Sequence, residues 1–137
     1  MEYSNTQQRI AAIGHQPVLN KSTFVLALAI FGVFSALAGI ISLAMAITLA
    51  ADGSAPGDAN IMLVDAVYEF SLAALIFASS RAFAKGKFLS VWLYGGSIVL
   101  DGLYNLVMGI SLNYIFVAFG LLLIWQILRF RERLELE

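Results

Sequence analysis

The chain has 137 residues, of which 61% are hydrophobic and only 12% are charged, and its formal net charge is −1. A soluble domain carries roughly a quarter charged residues, so this composition argues against a soluble domain and predicts an integral membrane protein with one domain. The chain has no cysteine and a single histidine. Disulfides, thiolate metal sites and a bis-histidine haem within one chain are therefore excluded, and the near-zero charge gives no case for a nucleic-acid partner.

Four apolar segments are long enough, or nearly so, to cross a bilayer as helices, which takes about 20 residues. We predict spans at residues 24–50, 61–83, 88–110 and 113–130. The first run is much longer than the roughly 7–15 apolar residues of a signal peptide, so we expect it to be a retained helix. The predicted fold is an all-α bundle of four transmembrane helices, residues 24–130. Residues 1–23 and 131–137 form a cytoplasmic N-terminal segment and a cytoplasmic C-terminal tail, which we expect to extend the fourth helix.

Basic residues predict the orientation of the bundle. They occur before the first span, between the second and third spans, and after the fourth, but not in the other two loops. Basic residues in short loops face the cytoplasm, so both termini are predicted to be cytoplasmic, in a plasma or inner membrane. The residues concerned are Arg9, Lys21, Arg81, Lys85, Lys87, Arg129, Arg131 and Arg133.

The first and third spans resemble each other. Residues 31–47 align without gaps with residues 94–110, which favours a duplicated helix hairpin (2+2), although apolar segments of few residue types also align by chance. Small residues recur every seven positions in both spans, and such residues let membrane helices approach closely. We therefore expect the two spans to pack along these stripes, against each other or against a second subunit. The stripes are Gly32, Gly39 and Ala46 in one span and Gly95, Gly102 and Gly109 in the other.

Acidic residues interrupt the second and third spans. Asp65 and Glu69 are four residues apart and share a helix face, as do Asp101 and Asn105 on the next span. Because consecutive spans run antiparallel, depth counting pairs Asp65 with Asn105 and Glu69 with Asp101. Depth counting thus predicts an acidic cluster in the outer half of the bundle.

Three arrangements could accommodate this cluster: neutral acids, two acids that share one proton, or acids that hold a cation. A charged carboxyl at the centre of a membrane costs about 2.5–3.5 kcal/mol on insertion scales, and no basic residue is predicted at this depth. Structural roles compete with these functional ones, since Asp65 could cap the start of its helix and the other acids could hydrogen-bond between helices. The predicted proton- or cation-binding set is Asp65, Tyr68, Glu69, Ser97, Asp101, Tyr104 and Asn105; no particular metal is indicated.

Other polar residues carry less information. Ser35 and Ser42 lie seven residues apart on the first span. We interpret them as packing residues whose hydroxyls bond back to their own helix.

Enzyme motifs of the common hydrolase, metalloprotease and phosphate-binding types are missing from the sequence, so an enzyme is less favoured and no cofactor is predicted. The leading hypothesis is proton- or cation-linked transport or binding by a homo-oligomer. A non-catalytic accessory or assembly subunit of a larger membrane complex is the alternative. A lipid-modifying enzyme that uses paired carboxyls is a third hypothesis.

Overall fold

The computed structural model of the protein describes residues 20–53, 55–110, 114–132, 134, 136 and 137. Within these residues the chain is all-helical, as predicted, with four helices and no strand. They are α1 (Lys21–Ala51), α2 (Pro56–Ala84), α3 (Leu89–Val107) and α4 (Tyr114–Arg129). The predicted N-terminal segment lies almost wholly outside the described residues.

Local signals explain where the first two helices begin. The Asn20 side chain accepts a hydrogen bond from the Thr23 backbone N–H at 2.8 Å, so it caps α1. Pro56 occupies the first turn of α2, where its missing N–H leaves no helical bond unmade. The second helix therefore starts five residues before the predicted span.

Glycine in the left-handed conformation ends α3 earlier than predicted. Gly109 has φ 67°, its N–H donates to the Leu106 carbonyl, and the Ile110 N–H donates to the Asn105 carbonyl at 2.8 Å. This is the Schellman arrangement, which favours glycine because a side chain would be strained there. Gly109 thus terminates the helix instead of continuing a packing stripe, which corrects the sequence interpretation.

Two of the helices, α1 and α2, are long and apolar enough to cross a membrane. Only 22% of the most apolar window of each is buried, whereas the core helix of a soluble protein would be mostly buried. Phe34 and Ile41, for example, are 66% and 60% exposed. This pattern favours a membrane protein. The other two helices have 19 and 16 residues, shorter than the predicted third and fourth spans.

The described helices pack mainly against their neighbours in sequence: α1 on α2, α2 on α3, and α3 on α4. A Cβ atom on Gly32 would lie 2.9 Å from the Phe77 ring, and one on Gly39 would lie 3.0 Å from the Phe70 ring. The α1 stripe therefore faces α2, and not α3 or a second subunit as expected. Its third member, Ala46, is buried on the same helix.

The glycines of α3 are uncovered. A Cβ atom on Gly95 or Gly102 would meet no other heavy atom within 4 Å. A glycine that sequence reasoning passed over, Gly120 of α4, makes the close contact instead. A Cβ atom there would lie 2.6 Å from Ile98 Cδ1 of α3.

The buried core lies at the end of the bundle that carries the α2–α3 loop and the C-terminal segment. We call this the basic end, because Lys21, Arg81, Lys85, Lys87 and Arg129 lie there, and the opposite end the distal end. The predicted extension of the fourth helix is wrong, since α4 ends at Arg129 and Leu134 and Leu136 turn back into the core. The core residues are Phe24, Leu28, Leu72, Ile76, Phe83, Val91, Tyr94, Leu123, Ile127, Phe130, Leu134 and Leu136.

Candidate functional site

Polar side chains of α1, α2 and α3 meet in the distal half of the bundle around a cavity of about 540 Å³. Six of the seven predicted binding residues contribute to its wall, together with apolar residues of the same helices. The lining residues are Phe31, Phe34, Ser35, Asp65, Tyr68, Glu69, Leu72, Ile76, Asp101, Tyr104, Asn105 and Ile110.

Two Asp-x-x-Tyr segments that line this cavity, one on α2 and one on α3, are hydrogen-bonded to each other. Tyr68 of α2 donates its hydroxyl hydrogen bond to Asp101 of α3. Tyr104 of α3 donates to Asp65 of α2 at 2.7 Å. The two tyrosine rings stack in parallel between the acids, with centroids 3.7 Å apart and planes 3° apart. The cluster is therefore a reciprocal pair, in which each helix supplies one acid and one donor.

This pairing differs from the one expected by depth counting. Asp65 receives its hydrogen bond from Tyr104 and not from Asn105, although Asn105 lines the same cavity. Because α2 begins at Pro56, Asp65 lies nine residues into its helix, about 14 Å from the start at 1.5 Å per residue. It therefore does not cap the helix, and the acidic residue of the first turn is Asp58.

Glu69 lies on the same wall as both aspartates and interacts electrostatically with each of them. Ser35 of α1 lines the same cavity. Three carboxyl groups from two helices thus share one cavity.

Serines of α1 complete the site, which the sequence interpretation missed. The Ser42 hydroxyl donates to Asp65 of α2 and not to its own helix. Ser35 and Ser42 each follow a stripe glycine by three residues, so they share the face on which α1 approaches α2. This three-residue spacing was the signal that could have predicted the role of the serines, because a polar residue on the same face as a close-packing glycine lies at the helix interface.

Ser97 is the predicted site residue that the structure does not bring to the cavity. It is 2% exposed, and its hydroxyl donates to the Tyr94 carbonyl of its own helix at 2.6 Å. The hydroxyl is therefore used within α3, one turn closer to the basic end than Asp101.

The cavity has an apolar floor toward the basic end. Leu72 and Ile76 line the cavity and also belong to the buried core. Packed side chains thus separate the acidic site from the basic end of the bundle.

The charges of the lining side chains and their positions limit which ligands the site can hold. Of the described residues, those that line the cavity include no lysine or arginine to neutralise the acids. Within the described part of the chain, no three acidic or histidine side chains are placed to ligate a metal ion together.

No protein-family model, curated protein or solved structure matches this chain. Function is therefore inferred from the geometry and chemistry of the site.

Proposed function

We propose that the chain is a polytopic membrane protein whose distal cavity binds a proton or a cation, as a transporter or a binding protein. The observation that carries this proposal is the convergence of Asp65, Glu69 and Asp101 on one cavity whose described walls hold no basic side chain. Ionisable groups inside a membrane face the bundle interior or a watery cavity and commonly mark ion or proton pathways.

The membrane assignment draws on the described helices and on the charge pattern. The exposed apolar surface of α1 and α2 suits lipid better than water. With the basic end in the cytoplasm, both termini are cytoplasmic and the cavity lies in the outer half. The basic end would then be the closed side of the cavity.

The lining favours an organic cation over a metal ion as the larger ligand. A volume of about 540 Å³ lies within the range of roughly 300–1,000 Å³ for small-molecule pockets. Aromatic faces attract ammonium groups, and Phe31 and Phe34 line the same cavity as the acids. A small amine with an apolar body would place its charge at the acids and its body against these rings.

Flux measurements in liposomes test this proposal. A pH-sensitive dye is trapped inside the vesicles. Vesicles that contain the wild-type protein should lose an imposed pH gradient faster than protein-free vesicles, either without an amine or when benzylammonium is added outside both. Glu69→Gln and Asp101→Asn should each lower that rate at least tenfold. Asp58→Asn is the matched control, because Asp58 is an exposed acid in the first turn of α2, outside the cavity.

Thermal unfolding in detergent tests binding without flux. Benzylammonium should raise the melting temperature of the wild type and of Asp58→Asn, but not of Glu69→Gln. A chain that neither carries protons nor responds to the amine would contradict the proposal.

A role as an accessory or assembly subunit is the second candidate, and the open glycines of α3 favour it. Gly95 and Gly102 offer a close-approach surface that nothing in the described chain covers, and such surfaces serve helix association in membranes. A homo-oligomer would use the same surface. Gentle solubilisation followed by mass spectrometry of co-purifying chains distinguishes a second copy from a different subunit.

A further inference from the structure

The C-terminal segment is bound to the α2–α3 loop by backbone hydrogen bonds. The Glu137 N–H donates to the Gly86 carbonyl at 2.7 Å, and the Phe88 N–H donates to the Glu137 carbonyl at 2.8 Å. These two bonds place Glu137 side by side with Lys87. In addition, the Arg131 guanidinium lies 4.3 Å from the centroid of the Phe88 ring, at a distance that allows a cation–π contact.

The same segment contributes two side chains to the core. Leu134 is 1% exposed and Leu136 is 6% exposed. Both belong to the buried cluster that includes Leu72 and Ile76, the floor of the acidic cavity. The segment is therefore connected to the cavity floor through continuous apolar packing.

The segment adds to the few helix–helix contacts of α4. Among the described helices, α4 packs closely against α3 alone. Beyond α4, the described residues 130–132, 134, 136 and 137 add contacts with the α2–α3 loop and with the core. Loss of these contacts would leave Leu123 and Ile127 as the core residues that hold the basic end of α4.

We propose that the C-terminal segment, through its described residues 130–132, 134, 136 and 137, forms a strap that keeps the basic end of the bundle closed beneath the cavity, and that release of the strap lets water reach the cavity floor from that side. The strap would then act as the cytoplasmic gate of the transporter, a role that rests on the proposed function. Closure itself is a property of the packing and is measurable without any ligand.

A single reporter cysteine can measure closure, because the natural chain has no cysteine. Ser79 is 0% exposed and lies one turn from Ile76 toward the basic end, so Ser79→Cys is a near-isosteric reporter below the cavity floor. Its rate of modification by a water-soluble maleimide reports access of water to the closed side. Asp58→Cys, at an exposed position on the distal side, controls for the reactivity of the reagent.

Weakening the strap should expose the reporter cysteine to water. We expect Leu134→Ala with Leu136→Ala to raise the modification rate of Ser79→Cys at least tenfold in protein that remains helical and monodisperse. The rate at Asp58→Cys should not change. An unchanged rate at Ser79→Cys in such folded protein would overturn the proposal.

A reversible lock provides the second arm, which keeps the wild-type leucines. Lys87→Cys with Glu137→Cys should form a disulfide that ties the strap to the loop, and the oxidised protein should label at Ser79→Cys at least threefold more slowly than the reduced protein. Equal rates would overturn the proposal even if the alanine variants fail to fold.

Neither arm requires flux. A strap that controls labelling in a protein that shows neither flux nor amine binding would support this inference and remove the proposed function. Normal flux, together with a labelling rate at Ser79→Cys that does not change when the strap is weakened or locked, would remove only this inference.

Discussion

Hydroxyl groups at the acidic cavity link helices by hydrogen bonds to Asp65. Tyr104 and Ser42 both donate to Asp65, from α3 and α1 respectively. One carboxyl thereby links three helices through side chains. Such bonds in membrane proteins contribute about 0.6 kcal/mol on average, and more when loss of the donor leaves a buried acceptor unpaired.

Removal of a single hydroxyl tests whether these hydrogen bonds stabilise the protein. Tyr104→Phe keeps the ring that stacks on Tyr68 but removes the donor to Asp65, so we expect the free energy of unfolding to fall by about 1 kcal/mol. Tyr114→Phe is the matched control, because Tyr114 is 76% exposed, and its effect should stay within about 0.5 kcal/mol. Denaturation in mixed detergent micelles, followed by circular dichroism, measures both. Equal losses in the two variants would show that the bond to Asp65 is not stabilising.

At the scale of helices, the two glycine stripes have different surroundings although their sequences align. Gly32 and Gly39 lie against aromatic rings of α2, whereas Gly95 and Gly102 face open space. The sequence repeat, which remains a prediction, therefore does not carry equivalent packing in the described helices.

Leucine substitutions separate the two stripes. Gly39→Leu must displace the Phe70 ring and should lower the free energy of unfolding by about 2 kcal/mol, within the usual range for overpacking. A Cβ atom at Gly102 meets no neighbour among the described residues, so Gly102→Leu should leave the stability of the isolated protein close to that of the wild type. Thermal unfolding in detergent tests both expectations. If Gly102→Leu instead dissociates an oligomer, as seen by light scattering, the α3 surface is an interface between subunits.

At the scale of the whole molecule, charge and burial divide the bundle into two ends. The basic end holds the apolar core and the strap, and the distal end holds the acidic cavity. In a membrane this division would give the protein one closed and one open side.

Labelling of loop cysteines tests the direction in which these ends face. Asp52 and Lys85 are exposed in the α1–α2 and α2–α3 loops. In intact cells, a membrane-impermeant maleimide should modify Asp52→Cys, while Lys85→Cys should react only after the membrane is permeabilised. The reverse result would show that the cavity faces the cytoplasm, and labelling of both without permeabilisation would argue against insertion.

Much of the helical layout could be predicted because its signals are local. Hydropathy located all four helices, and the turn-rich residues around Pro56 marked the first break, although Pro56 itself starts α2. The end of α3 was misplaced because Gly109 reads equally as a stripe member and as a helix terminator. Only its backbone conformation, φ 67°, distinguishes the two.

The sequence by itself determined that the described part of the chain is helical and apolar, that the basic residues of this part gather at one end, and that its acids share helix faces. These properties follow from composition and helical periodicity, which depend on nearby residues. Only the tertiary structure decided that Ser42 and Tyr104 meet Asp65 across 23 and 39 residues of chain, that the α1 glycines face α2, and that the C-terminal segment returns to the core. Such contacts depend on how each helix is rotated about its axis, and a rotation of one residue, about 100°, would send the same side chains to a different neighbour.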